Sequence, residues 1–437
     1  MTEEPFLPPP DELAQDPGPA GVLSRWPALA TPAFRSLLIA LTLAELGLFA
    51  VQTAIIWVVL EETGSPSLVG LSMALLSSSF LAAVLLVGLL ADRTGPQRSM
   101  LIGTLGGSLI VAIGAAATLF DGLTPLVAFG MAIASGVLAA LIMIPGQLLA
   151  ARIVGRSQVT SALGLRYVPV GFAWLLGGLL AGITLAVAGV AATFAAVAAV
   201  MLLATWIVSG LPRPPGLESS GLTAPIQLRL AFRYMSRSAV IMGLVGLAAI
   251  GGMFVMSRMS MYPALVRDVL EAGPGALGSF MAVHGLGAIV GALAADPMGR
   301  AIGRGRAAIL SLALCGAALA GIGLSDTLVL SLTLAGVATA GLVGHLATGS
   351  ALVQLATPVR MRGRVVAAWD FGRLASLTVG SLVGGLLTDA IGPSLVFLIY
   401  GLMTVAAVLV IRIRNPRLWR LRVDRDGHLV EAIETPA

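Results

Sequence analysis

Lysine is absent from the 437 residues, cysteine occurs once (Cys315), aromatic residues make up 5%, and charged residues of both signs make up only 11%. Soluble domains carry about 25% charged residues, so this chain cannot cover itself against water. A soluble enzyme and a nucleic-acid-binding domain are excluded on that ground. One cysteine forms no intrachain disulfide, which excludes a secreted disulfide scaffold. It also leaves no cysteine metal site, and the three histidines show no histidine–acid spacing, so neither a metal nor a cofactor is expected. Without lysine there is no phosphate-binding P-loop, and the HExxH and GxSxG motifs are missing too. The sequence therefore predicts neither an enzyme nor an ATP-driven pump.

What is abundant is apolar sequence. Hydrophobic residues make up 57% of the chain and mean hydropathy is +0.98. A bilayer core about 30 Å thick takes about 20 apolar residues per helix. Twelve such runs fall at 36–60, 67–90, 99–120, 124–148, 159–184, 188–211, 239–263, 275–295, 307–324, 327–350, 365–388 and 393–411. Glycine (53 in all) and alanine are frequent within them, as expected where helix backbones approach closely in lipid. Alternating ten-residue barrel segments are missing. The expectation is an all-α membrane protein with twelve transmembrane helices in two pseudo-symmetric six-helix halves.

All 26 basic residues are arginine, and they sort by loop. The N-terminal tail, the even-numbered loops and the C-terminal tail hold 22, and the opposite loops hold one, Arg267. Arg166, Arg258 and Arg373 lie inside spans. Cytoplasmic loops carry the excess of basic residues, so both termini are expected on the cytoplasmic side of the cell (inner) membrane. The net charge of +5 is thus a topology signal, not a nucleic-acid patch.

Three segments are not spans. Residues 1–31 form a Pro-rich, acidic N-terminal tail (Glu3, Glu4, Asp11, Glu12, Asp16) with a disordered composition and no signal-peptide pattern. Residues 212–238 read as a cytoplasmic linker between the six-helix halves 32–211 and 239–411. In it Arg229, Arg233 and Arg237 sit four apart, a helical stripe suited to anionic lipids at the cytoplasmic face. Residues 412–437 form a basic C-terminal tail with six arginines and Trp419 as an interfacial anchor.

The halves repeat. Gly177-Gly178-Leu-Leu recurs as Gly384-Gly385-Leu-Leu at an offset of 207, which also carries Arg166 onto Arg373 and Gln147 onto Gln354. Asp92 and Asp296 sit 204 apart. Two six-helix repeats with a cavity between them is a common transporter architecture.

The segment Gly88-Leu-Leu-Ala-Asp92-Arg93-Thr-Gly95-Pro-Gln-Arg98 resembles the major facilitator superfamily signature between its second and third helices. Phe34-Arg35, Leu46-Gly47, Glu62-Thr-Gly-Ser65, Gln354 to Pro358 and Arg362-Gly363-Arg364 resemble the branch of that superfamily containing the enterobactin exporter and related efflux proteins. The resemblance covers about residues 32–412. It implies a major facilitator fold, secondary transport, and a gating loop made of Gly88, Asp92, Arg93, Gly95 and Arg98. The chain departs from the branch at Leu48, where an acid is usual, and at Ala173-Trp174, which breaks the antiporter glycine-proline motif. Pro297 interrupts the second copy of the loop signature.

Seven ionisable side chains lie within spans: Glu45, Arg166, Arg258, His284, His345, Asp370 and Arg373. A mid-span charge costs on the order of 3 kcal/mol, so each needs a partner, water or a function. Glu45 is about nine residues past Ser36, roughly 14 Å deep at 1.5 Å per residue, with Gln52 on the same face. Two readings stand for it: a titrating carboxyl for proton coupling or substrate contact, or a fixed bridge to Arg166. Asp370 and Arg373, three apart, neutralise each other on one helix. Arg258 is placed near the outer end of its span, snorkelling outward. The resemblance places His284 and His345 in cavity-lining helices.

Together these features predict a monomeric secondary active transporter that exports a small, partly hydrophobic molecule such as a drug or siderophore-like metabolite, with proton antiport as one means of coupling. An importer or lipid transporter of the same fold, and a non-transporting receptor-like membrane protein, are the alternatives. The topology is directly testable. Cysteines at Glu62, Asp121, Asp326 or Asp389 should label from outside intact cells, and cysteines at Gln97, Ser157 or Gly303 should not; labelling of the second group would overturn the twelve-span arrangement.

Overall fold

A computed structural model describes residues 31–120, 122–154, 167–213, 232–423 and 429–431. Proline opens many of the helices: α1 (Pro32–Thr63), α2 (Pro66–Thr94), α3 (Pro96–Leu119) and α4 (Pro125–Val154) all begin on it. At a helix's first position the missing proline N–H has no intrahelical partner to lose, and φ is already helical. The sequence thus marks its own helix starts.

The next helix, Tyr167–Ser209, is 43 residues long. As one rod it would span about 64 Å, twice a bilayer core. It turns at Gly189, where φ is 77° and ψ is −175°, a backbone conformation that only glycine adopts without strain. Its arms, α5 (167–188) and α6 (190–209), run antiparallel. Gly177, twelve residues before the turn, meets the Leu46 backbone, while Met201, twelve residues after it, meets Gly47. Eleven helices among the described residues are long and apolar enough to cross a membrane. With this one counted as two crossings, the described residues supply twelve spans.

The second half holds α7, α8 (Pro274–Ile302), α9 (Arg304–Gly323), α10 (Leu328–Leu355), α11 (Val359–Ile391) and α12 (Pro393–Arg414). α7 is irregular. It is α-helical over Ala239–Ile250, widens to a π-turn at Gly251–Val255, tightens to 3-10 at Met256–Ser260, and continues as Tyr262–Ala264 and Leu265–Val269. It therefore runs beyond the expected end at residue 263. After α12 the basic tail is ordered as α13 (Pro416–Arg420) and a two-stranded hairpin, β1 (Leu421–Val423) with β2 (Leu429–Glu431). Buried Leu418 and an Asn415 Nδ2 bond to the Ala239 carbonyl tie this end to the start of α7.

Equivalent parts of the two halves do equivalent work. Gly95, between α2 and α3, has φ/ψ of 88°/146°; Gly303, between α8 and α9, has 94°/141°. Gly178 on α5 packs against Met281 and Ala282 of α8, and Gly385 on α11 packs against Pro66 and Gly70 of α2. Each second glycine of the repeated pair thus forms a seam with the other half. Apolar helices in lipid gain little from burial, so close backbone packing by small residues is what joins them.

The face where α1 begins and α12 ends is here called proximal, and the other distal. Polar and glycine contacts between halves include Gly182 with Gly278, Gly178 with Ala282, Ser77 with Thr378, and Gly70 with Gly385, at mid-depth and toward the distal face, and Gly171 with Gly285 and Ile289, nearer the proximal start of α5. A Cβ on Gly182 would lie 2.5 Å from the Gly278 Cα, whereas one on Gly130 of α4 would meet nothing within 4 Å. Gly182→Val should therefore lower the Tm of purified protein by several degrees, and Gly130→Ala should leave it unchanged. Equal Tm values for the two variants would contradict the seam.

Candidate transport site at mid-depth

The irregular stretch of α7 fixes where Arg258 points. Gly252 lets α7 approach the Arg373 carbonyl of α11 so closely that no side chain would fit. The winding changes that follow carry Arg258 inward, and it is fully buried. The expectation that it snorkels outward near the end of its span is corrected: the helix continues eleven residues further, to Val269. Its partners place it in depth. His284 is ten residues into α8 and Thr339 eleven residues into α10, each about 15 Å from the distal helix ends. That is the middle of a 30 Å core.

Four hydrogen bonds hold the guanidinium. Nε donates to the Tyr262 hydroxyl (2.8 Å) and Nη1 to the Val255 carbonyl (2.5 Å). Nη2 donates to Thr339 Oγ1 (2.6 Å) and His284 Nδ1 (3.1 Å). A guanidinium only donates, so His284 Nδ1 accepts and the imidazole proton sits on Nε2. No carboxylate among the described residues lies within ion-pair distance of Arg258. Among the described residues the acceptors that hold this buried guanidinium are all neutral.

His284 also joins the halves. Its ring centroid lies 5.9 Å from that of Phe49 (α1) and 5.0 Å from that of Trp174 (α5), and Phe49 and Trp174 are 5.8 Å apart. Three rings from two halves therefore meet at the seam, at spacings typical of favourable aromatic contact. The sequence reading missed Phe49 and treated Trp174 only as a break in a motif. The available signal was spacing: Phe49 is four residues after Glu45, on the same face of α1. Glu45 is buried, one turn of helix from this cluster. Gln52, one turn the other way, donates from Nε2 to Met73 Sδ of α2 (3.2 Å). The Glu45–Arg166 bridge, one of the two readings for Glu45, lies outside the described residues, since Arg166 falls in 155–166.

The other sequence-predicted residues are placed elsewhere. His345 is fully buried, and its Nδ1 donates to the Ala308 carbonyl at 2.8 Å, tying α10 to α9. Arg373 reaches Asp370 Oδ1 (Nη2, 3.0 Å) and also contacts Met256 Sδ of α7 (3.0 Å). In the loop signature, Gly88 and Asp92 lie in α2, with side-chain surroundings outside the described set. Arg93 and Arg98 are exposed on either side of Gly95. Gln97 anchors the turn by donating to the Val208 carbonyl (2.8 Å). The second copy, interrupted by Pro297, still closes: Asp296 pairs with Arg300 (2.7 Å) and with Arg304 (3.3 Å) across the loop.

Two six-helix halves, glycine seams between them and a buried polar cluster at mid-depth define a membrane transporter of the major facilitator fold. The chain belongs to the family described as "Transmembrane secretion effector", whose model matches residues 23–429. It is similar to the enterobactin exporter EntS of Citrobacter koseri, with 27% identity over 374 residues, covering 81% of this chain and 85% of that protein. EntS of Escherichia coli O6:K15:H31 matches to the same extent. Among solved structures, the nucleoside transporter NupG superposes with a TM-score of 0.69 at 14% identity, covering 87% of this chain and 98% of that one. The protein is a multi-pass membrane transporter and not an enzyme.

The cluster makes a stability prediction. Arg258→Ala strands His284, Thr339 and Tyr262 without their donor, at a cost of about 2–4 kcal/mol for buried unsatisfied groups. Arg373→Ala leaves Asp370, whose side chain is 46% exposed, to water. Thermal unfolding in detergent should show the larger Tm loss for Arg258→Ala; a larger loss for Arg373→Ala would contradict the placement.

Proposed function

We propose that the protein exports a small, partly hydrophobic molecule by alternating access, with the proximal face cytoplasmic. The observation that carries this reading is a polar and aromatic cluster at mid-depth, built by both halves. In this arrangement a substrate arrives from the proximal side, and release requires the distal seams to part. The arginine distribution supports a cytoplasmic proximal face, with both termini there in an inner membrane. The secretion family and the exporters among its relatives support outward transport. Enterobactin, the molecule named for those relatives, makes siderophore-like metabolites the first substrates to test.

Within the cluster, Phe49 and Trp174 supply an apolar wall and Arg258 a fixed cation, with His284 between them. Glu45 is the carboxyl for proton coupling, with Gln52 on the same helix face. Asp370 and Arg373 balance each other beside α7, and His345 has a packing role. Gly88, Asp92, Arg93, Gly95 and Arg98 gate the proximal side, and Arg166 is the ion-pair partner of Glu45. Exposed Arg233 and Arg237 contact anionic lipid, and the working unit is a monomer.

The test is transport in everted vesicles with an imposed pH gradient. Glu45→Gln keeps shape and hydrogen bonding but cannot titrate. It should abolish uphill accumulation while sparing downhill exchange. If the double variant with Arg166→Gln restores both expression and uphill transport, Glu45 is only a structural partner and coupling through it is refuted.

A further inference from the structure

The turn between α1 and α2 is gripped from both sides by the other half. α1 ends at Thr63, Gly64 follows in the left-handed conformation (φ 67°), and Pro66 begins α2. Where a helix begins, unpaired N–H groups give a partial positive charge; where one ends, unpaired carbonyls give a partial negative charge. Both ends meet at this one turn.

Each receives the charge that suits it. Asp389, on α11, accepts from the Ser65 hydroxyl (2.9 Å), the Ser67 backbone N–H (3.0 Å) and the Ser67 hydroxyl, all at the start of α2. Arg267, at the end of α7, donates from Nη1 to the Leu60 carbonyl (3.1 Å) and from Nη2 to the Gly64 carbonyl (3.5 Å), at the end of α1. Asp268 holds the same guanidinium at 2.6 Å.

Three features show that these contacts are specific. Ser65 occupies the N-cap position of α2, yet its side chain caps nothing on its own helix. Its hydroxyl is given to Asp389, so the cap of α2 is supplied by the opposite half of the protein. Asp389 stands in the last turn of α11, where its own helix disfavours a negative charge. Its favourable interaction is therefore with α2. Arg267 is the single arginine in the loops on this side. An arginine there runs against the charge bias that orients the chain, and the carbonyls at the end of α1 give it a local role.

We propose that the α1–α2 turn is the distal gate, and that Arg267 and Asp389 act as a two-sided clamp that sets how long the transporter stays closed on that face. Among the described residues the pseudo-equivalent seam shows no such device: the position 207 residues before Asp389 is Gly182, packed on Gly278. One seam is therefore a glycine contact and the other a charged latch. The latch is wet. The Asp389–Ser65 contact is open to solvent, and a cleft of about 460 Å³ lined by Trp57, Glu61, Arg267 and Glu271 lies beside it. Exposed charge–dipole contacts are weak, as a gate that opens in every cycle requires.

The proposal rests on alternating access, so its primary readout needs no substrate. In a Cys315→Ser background, Ser77→Cys places a thiol in the closed α2–α11 seam, 3% exposed in this state. Adding Asp389→Ala or Arg267→Gln should speed its labelling by a membrane-impermeant maleimide about fivefold, a change of the size expected for one lost cap. Asp389→Glu should restore slow labelling. Unchanged labelling in both variants, with each still monodisperse on size exclusion, overturns the clamp. As a second arm, Ser67→Cys with Asp389→Cys should form a disulfide on oxidation that stops transport, and reductant should restore it. Full transport by the oxidised pair also overturns the gate. If labelling shifts but no transport is found in any variant, the clamp stands and the export reading fails.

Discussion

Backbone contact through glycine is the constraint on which the rest of this structure depends. Lipid offers the two halves no hydrophobic reward for associating, so they are held by close approach of main chains where no side chain intervenes. Gly178 and Gly182 on α5, with Gly278 and Gly285 on α8, make one seam, and Gly70 with Gly385 makes the other. These contacts set the distance at which everything at mid-depth must fit. Phe49, Trp174 and His284 stack because the seams bring α1, α5 and α8 within ring distance. Arg258 reaches His284 because Gly252 lets α7 lie against α11.

A second consequence is the division between permanent and breakable contacts. Within the second half, the guanidinium of Arg258 ties α7, α8 and α10 together by hydrogen bonds shielded from water. In low dielectric such bonds are strong and costly to leave unmade. Across the halves, the polar contacts are different in kind: a hydroxyl pair at Ser77 and Thr378, an exposed helix-end contact at Asp389 and a part-buried one at Arg267. A body that is rigid within each half and weakly latched between halves is suited to rocking. The ring stack at His284 lies on the same boundary, so rocking must separate Phe49 and Trp174 from the Arg258 network.

Much of this was legible in the sequence because the bilayer imposes simple rules. Span number, the paired Gly-Gly motifs and the intramembrane ionisable residues all follow from length, repetition and burial cost. The depth of Arg258 was not legible. Counting 1.5 Å per residue assumes a regular helix with a known end, and α7 changes its winding twice and runs on to Val269. Trp174 was visible only as a departure from a motif, since nothing local reveals that its ring meets Phe49 and His284. The role of Asp389 was hidden for a related reason. It caps a helix 322 residues away in sequence, and its own helix gives no reason for an acid there. The basic tail is legible by its arginines and Trp419 alone, and nothing local reveals that Leu418 and Asn415 dock it on the second half.

The central claim is that the halves part at the distal face while the mid-depth cluster changes sides. Its most direct measurement is the distance between spin labels at Glu62, at the end of α1, and Ala390, at the end of α11, by pulsed electron resonance. Both positions are exposed and lie on opposite halves of the same face. The account predicts a short-distance population in resting protein and a second, longer one when substrate and a proton gradient are supplied. A single short distance in every condition, from protein shown to be transporting, would contradict it.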